Sequence, residues 1–387
     1  MTIKRPGVYF DESVEYELEG AGGKIPVFIG KTGNTGTATY KVDGTQIQKF
    51  TKWSEVNRTI ANGGIGIDTT TNPLLAVLKD FFTEAEPKSS DDIGVPYIYV
   101  IDVGAATSRD VWLTALTTAK TMKKAIIEFY VGAENISNED YTLTDFMKAA
   151  YASISTETAN LNLRTAFTTK ADATDVQLIA LNPAETGVLK SRVGIIEPHL
   201  FGKHAAMLCC TPYYLEPGFI EYRTVKPGEF KPRSEAEEVA LQTAGIIFGR
   251  DEVVGDDLIL CRINLAVSTA YNQEQKPADA LFHHRFNADN LLRNIFKAVY
   301  TQIKANEVRS YMVKAQTKVD AVIDDEVRTE RMIPYNSSTG DGTKLTLMES
   351  DVSPYDMKLV GQIQGINATH AILVEVTIKN PVIKAIQ

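Results

Sequence analysis

A chain of 387 residues, 44% hydrophobic and 23% charged, carries enough apolar material for a substantial core in two or three domains, which excludes a disordered chain. Its formal net charge of -9 argues against a general nucleic-acid binder, whose domains tend to be basic. No basic leader with an apolar run opens it and no stretch of about 18 apolar residues occurs, so neither a signal peptide nor direct membrane insertion is expected.

The first predicted element is a strand near the N-terminus. Val8, Phe10, Val14, Tyr16 and Leu18 fall on one face, and Tyr9, Asp11, Ser13, Glu15 and Glu17 on the other, so one side is mostly apolar and its reverse mostly acidic. The Gly-Ala-Gly-Gly run at 20–23 predicts a flexible joint, and 25–30 a short buried strand ending in a glycine turn. Residues 33–44 and 60–72 are rich in glycine, threonine and asparagine and predict loops. Asn72-Pro73 then opens an apolar run, Leu74, Leu75, Val77, Leu78, Phe81 and Phe82, that predicts a helix with proline at its first position.

Strands are predicted at 96–103 and 125–131 and helices at 110–124 and 144–160, the alternation of an α/β layer domain. A strand at 176–181, an apolar segment at 193–196 and a helix at 199–210 continue it. Four prolines and two glycines between 212 and 232 predict irregular structure and a domain border. A strand follows at 258–267, and Asn287 is placed to cap a long helix carrying Leu291, Leu292, Ile295, Phe296, Val299 and Ile303 at spacings of three and four. Residues 308–312 extend that helix or begin another. A polar turn at 334–341 and a strand at 345–348 lead to the last strand, in which Ile372, Val374, Val376 and Ile378 alternate with Leu373, Glu375, Thr377 and Lys379 before Asn380-Pro381 interrupts it. Half-apolar strands at both extremities need sheet partners, in the same subunit or in its neighbours.

No motif points to catalysis, a cofactor or a metal. Gly30-Lys31-Thr32 resembles the tail of a phosphate-binding loop, but Ile25 stands where that motif needs its first glycine. His199 and His204 are five apart, off the spacing that aligns two ligands on a helix, and the carboxylates at 256–257 and 324–326 diverge in direction. Cys209, Cys210 and Cys261 have no metal-type spacing, and synthesis in a reducing cytoplasm is expected. Charge is more informative: residues 285–318 hold seven basic groups against Asp289 and Glu307, a net of +5 in an acidic chain. Arg293, Lys297 and Lys304 share a helix face roughly opposite the apolar stripe, which suits either a plain solvated face or a docking surface for an acidic partner.

Several short segments together resemble the tail sheath proteins of contractile phage tails and related contractile injection particles. Arg5-Pro6-Gly7-Val8-Tyr9 is similar to the family's opening, Ile25-Pro26-Val27-Phe28-Ile29-Gly30 to its first strand and turn, and Phe50-Thr51-Lys52-Trp53-Ser54-Glu55 to its aromatic stretch. The last third, with Arg285-Phe286 leading a long helix and a strand ending in proline, carries the strongest match, whereas 137–232 departs from the pattern. The resemblance implies a mixed α/β (α+β) fold: an N-terminal arm at 1–22, an outer α/β domain at 23–245, an inner C-terminal α+β domain at 246–369 and a C-terminal arm at 370–387. It implies a non-enzymatic structural subunit without cofactors. Such subunits form hexameric rings stacked in a helical tube around an inner tail tube protein, between baseplate and tail terminator, and contract to drive that tube through the target envelope. The location implied is a virion tail or contractile particle assembled in the host cytoplasm, with no nucleic-acid partner. Both arms are implied to exchange strands between subunits, through Val8, Phe10, Val14, Tyr16, Leu18, Ile372, Val374, Val376 and Ile378, and Arg293, Lys297 and Lys304 to face the inner tube. The competing expectations are an α/β enzyme whose ends pair within its own sheet and another virion coat-forming protein.

Overall fold

The computed structural model describes residues 24–32, 40–60, 72–85, 97–104, 108–122, 126–135, 143–159, 163–182, 190–254, 258–271, 280–300, 308–349, 357–365 and 372–378. These residues fall into two compact units that divide between His283 and His284. The predicted N-terminal strand and its glycine joint lie outside the described residues.

The first unit is a doubly wound sheet. Its elements in chain order are β1 (Ile25–Gly30), β2 (Gln48–Phe50), α1 (Trp53–Ile60), α2 (Pro73–Ala85), β3 (Ile98–Asp102), α3 (Arg109–Thr121), β4 (Ile126–Val131), α4 (Leu143–Ala159), β5 (Thr165–Thr168), α5 (Asp175–Ile179), β6 (Val193–Ile196), α6 (Phe201–Cys210), α7 (Glu235–Thr243), β7 (Ile246–Ile247), and the hairpin β8 (Gly249–Val254) and β9 (Leu258–Ile263). The seven strands lie in the order β2-β3-β1-β4-β5-β6-β7, parallel except for β2 on β3. The chain winds outward from β1 to β3, then crosses β1 to β4 and winds the other way.

Helices cover both faces, so β1 reads as an unbroken apolar run and Val27, Phe28 and Ile29 are all fully buried. On one face Val27, Ile29 and Ile101 pack with Trp112 and Leu116 of α3 and with Phe146, Met147 and Tyr151 of α4. The other face holds a ladder of rings. Phe28, Phe129 and Phe167 stand in register on β1, β4 and β5, with stacked centroids 5.0 and 5.3 Å apart. Phe81 of α2 and Phe201 of α6 meet the ladder edge-on. Its next rung is Gly194 of β6, where a Cβ would stand 2.5 Å from the Phe167 ring and 3.0 Å from Phe282. The glycine makes the room in which Phe282 packs on Phe167 at 4.7 Å. Gly202 likewise lets α6 approach α2, since a Cβ there would lie 2.2 Å from the Val77 carbonyl oxygen.

Two expectations are corrected in this unit. Residues 175–179 are the helix α5, not part of a strand: Thr174 and Gln177 form a capping box, Leu178 is buried and Val176 is 76% exposed. The fourth parallel strand is instead 165–168, whose Ala166 and Phe167 are fully buried. The irregular stretch at 212–232 is no domain border, because it is pinned to the first unit on both sides. Glu84 of α2 accepts from the Thr224 amide at 3.1 Å, Glu216 accepts from the Ala266 amide at 2.8 Å and pairs with His283, and Tyr222 bonds His204. The following Arg233 reaches Glu197 at 2.7 Å and Asp175 at 3.1 Å. Burial alone would raise the Glu197 carboxyl, but His204, Arg233 and the Gly249 amide outweigh it and hold the carboxyl below its usual range. Residues 246–283 fall in this first unit.

The second unit comprises α8 (Phe282–Tyr300) from His284 onward, α9 (Val308–Arg328) and a three-stranded antiparallel sheet of β10 (Lys344–Glu349), β11 (Met357–Ile363) and β12 (Ile372–Ile378), in that spatial order. Asn287 lies inside α8 rather than at its cap, and its amide donates to the Arg331 carbonyl at 3.1 Å. Asn294 of the same helix donates to Glu326 of α9 at 3.3 Å, and Arg331 pairs with that carboxylate at 3.7 Å. Ala315, Val319 and Ile323 form the buried stripe of α9, at intervals of four. In the sheet, Leu345 and Leu347 of β10 and Leu359 and Ile363 of β11 are buried, whereas Met348 is 46% exposed. Gly361 permits the close approach of β10 to β11: its φ is +154°, and a Cβ would fall 1.9 Å from the Lys344 carbonyl oxygen.

Candidate assembly surfaces

In open α/β sheets ligands bind beyond the carboxyl ends of the strands, where the winding reverses. Here that position lies between β1 and β4, and the described strand ends are tied to one another. Lys31 N donates to Val131 O at 3.1 Å, Val103 N to Gly30 O at 3.0 Å and Leu74 N to Lys31 O at 3.0 Å. A Cβ on Gly30 would stand 2.7 Å from Val131 O, so glycine serves packing here. Among the described residues the next helix after Gly30-Lys31-Thr32 starts at Trp53, beyond β2, so none of them sets a helix N-terminus at this turn to receive a phosphate.

Asp102, at the end of β3, has the outward mark of a catalytic carboxylate, since burial lifts it to about 6. Both its oxygens are nevertheless engaged. Thr32 Oγ1 donates at 2.7 Å, Tyr40 OH at 2.7 Å and the Gly104 amide at 2.7 Å. The group closes the turn rather than presenting a base. Of the histidines, His204 and His283 are buried in carboxylate pairs and His199 bonds the Glu229 carbonyl. Among the described residues no group of His, Cys, Asp and Glu is placed to hold a metal ion, and no helix is long and apolar enough to cross a membrane.

The surfaces expected to act in assembly are partly described. Val8, Phe10, Val14, Tyr16 and Leu18 lie outside the described residues, as does Lys304. Ile372, Val374, Val376 and Ile378 fall on β12, which pairs antiparallel with β11 of the same chain, Val374 opposite Gly361 and Val376 opposite Leu359. In the single chain the C-terminal strand therefore already has a sheet partner. On α8, Leu291, Leu292, Ile295 and Val299 are buried as their spacing predicts. Of the basic face, Lys297 is exposed and Arg293 is half-buried.

The fold recurs in solved structures. The chain matches the helical sheath of the anti-feeding prophage in its contracted state at a TM-score of 0.59, with 12% identity over 100% of this chain and 98% of that one. A chain of the anti-feeding prophage baseplate assembly matches at 0.59, with 11% identity over 100% and 99%. The sheath tail protein of Desulfitobacterium hafniense matches at 0.58, with 11% identity over 96% and 100%. The chain has the tail sheath fold. No protein-family model and no curated protein matches it, so the sheath fold is legible in three dimensions where sequence similarity has faded. That fold takes in the whole chain, including 137–232, which departs from the family's sequence pattern.

Proposed function

We propose that this chain is the structural subunit of a contractile tail sheath, forming hexameric rings that stack in a helical tube around an inner tail tube and contract to drive it through a target envelope. The observation that carries this reading is the end-to-end structural likeness to sheath proteins, with nearly the full length covered on both sides. Among the described residues the carboxyl ends of β1, β3 and β4 are tied together by the chain's own hydrogen bonds, which favours this reading over an α/β enzyme that binds its ligand there.

On this reading the arms connect subunits. The place of β12 on β11 is one that the equivalent strand of a neighbour takes in the assembled tube, an exchange of identical elements that keeps the same backbone bonds. Each exchanged strand contributes several main-chain hydrogen bonds at about 1 kcal/mol net each, and two arms per subunit make the lattice multivalent. The face around Arg293, Lys297 and Lys304 meets an acidic inner tube through screened contacts that release on contraction. Baseplate and terminator proteins bound the tube at its ends.

Deleting residues 1–19 tests the reading. The truncated protein should remain folded and soluble and fail to form long tubes in negative-stain micrographs, whereas normal tubes would refute arm exchange. Reversing Arg293, Lys297 and Lys304 to glutamate should spare self-assembly and weaken co-assembly with the inner tube, and unchanged co-assembly at moderate salt would remove the docking assignment.

A further inference from the structure

Among the described residues the sheet of the second unit is bounded by β10 on one side and β12 on the other. Along β10 and the residue before it, three of the backbone groups that β11 does not use are bonded by the chain itself. Thr343 N donates to Ile333 O at 2.8 Å. Further along, Gln316 of α9 donates from Nε2 to Leu345 O at 3.0 Å, while its Oε1 accepts from Leu347 N at 2.7 Å. Leu345 and Leu347 are two residues apart, so both bonds lie on one edge. A carboxamide has the donor and acceptor of a peptide unit, and here it stands where the backbone of an added strand would stand.

Asp320, one turn further along α9, fixes the direction of this amide. Its carboxylate accepts the second Nε2 hydrogen at 2.7 Å, and because a carboxylate only accepts, the oxygen of Gln316 is left to face Leu347 N. All three polar positions of the carboxamide are used. Leu345 and Leu347 are themselves buried, so the strand is held while its edge is filled.

We infer that Gln316 is an edge guard, a specificity-determining residue that bars strand addition at β10 and confines donated strands from other copies of this chain to the β12 side of the sheet. An open edge with unpaired amides and carbonyls is a template for any extended segment. In a protein whose two end segments alternate apolar and polar residues in sequence, held at high local concentration, an open edge at β10 would accept them in the wrong place. The guard thus gives the sheet one direction of growth. This inference rests on the sheath reading for the identity of the incoming strand, but not for the geometry of the guard.

The test uses the full-length chain and a fluorescein-labelled peptide of residues 370–380. Titration by fluorescence anisotropy, with stoichiometry from saturation, compares wild type with Gln316→Ala. The variant should bind one more peptide per chain than wild type. Hydrogen exchange checks that the site has opened without unfolding: the Leu347 amide should exchange about fivefold faster, the ratio for one net hydrogen bond, with β11 amides unchanged. Asp320→Asn keeps the amide but frees its orientation, and should give a weaker second site even if the alanine variant folds poorly. Equal peptide stoichiometry in wild type and both variants overturns the guard. Uptake by wild type bears on strand exchange alone: a wild type that takes no peptide counts against donated strands, while an extra equivalent in the variant still upholds the guard.

Discussion

Asp102→Asn tests the ionisation penalty of a carboxylate buried at the end of β3. Burial raises the Asp102 carboxyl from 3.8 to about 6, despite donation from Tyr40, Gly104 and Thr32. A group whose folded pKa lies above its unfolded value contributes stability below the unfolded pKa, and that contribution is lost as pH rises through the folded one. The shift of about two units corresponds to roughly 3 kcal/mol of ionisation penalty at neutral pH, at about 1.36 kcal/mol per unit. About 2 kcal/mol of it develops between pH 4.5 and 7.5. Asparagine is nearly isosteric, keeps one acceptor, and its amide can donate to the Thr32 and Tyr40 hydroxyls, which accept as readily as they donate. The variant should therefore gain on wild type by about 2 kcal/mol across that range. The assay is urea unfolding followed by tryptophan fluorescence, which reports on the first unit alone because Trp53 and Trp112 both lie there. Taking the difference between proteins cancels the opposite trend of Glu197 and Asp175, whose depressed carboxyls lose their stabilisation at low pH. A difference that stays flat from pH 4.5 to 7.5 would refute the argument.

Gly194→Val should cost about 2–3 kcal/mol in the same unfolding assay, because a Cβ there stands 2.5 Å from the Phe167 ring; an unchanged midpoint would show that the ladder yields. Val176→Lys should change stability by less than about 0.5 kcal/mol, since the side chain is 76% exposed on α5, whereas a strand in the core would not tolerate it. Gly361→Ala should speed hydrogen exchange of the β10 amides, from a loss of about 1–3 kcal/mol in the second unit, and leave the tryptophan transition in place.

The sequence was most legible where period and boundary signals agreed. β1 falls at the predicted 25–30, and α2 starts at Pro73 with the expected apolar face. Residues 176–181 misled because Val176, Leu178 and Ile179 alternate loosely enough to pass for a strand, although Thr174 and Gln177 spelled a capping box around them. Ser234 and Glu237 spell the same signal before α7. Thr165-Ala166-Phe167-Thr168 was too short to show a period, and its burial comes from strands distant in sequence. The paired edge of β10 was illegible for a different reason, since Gln316 and Leu347 are 31 residues apart and a lone glutamine carries no pattern.

The register of the three stacked rings also limits how the first unit can respond to load. A slip of one residue between β4 and its neighbours would carry Phe129 to the opposite face and leave Glu128 or Tyr130 opposite Phe28. No arrangement lies between those two, because side-chain direction reverses with each residue. Sliding along the strands is thus quantised in steps that the aromatic contacts oppose all at once. A pull along the sheet shifts the whole layer together or ruptures it, without a gradual stretch in between.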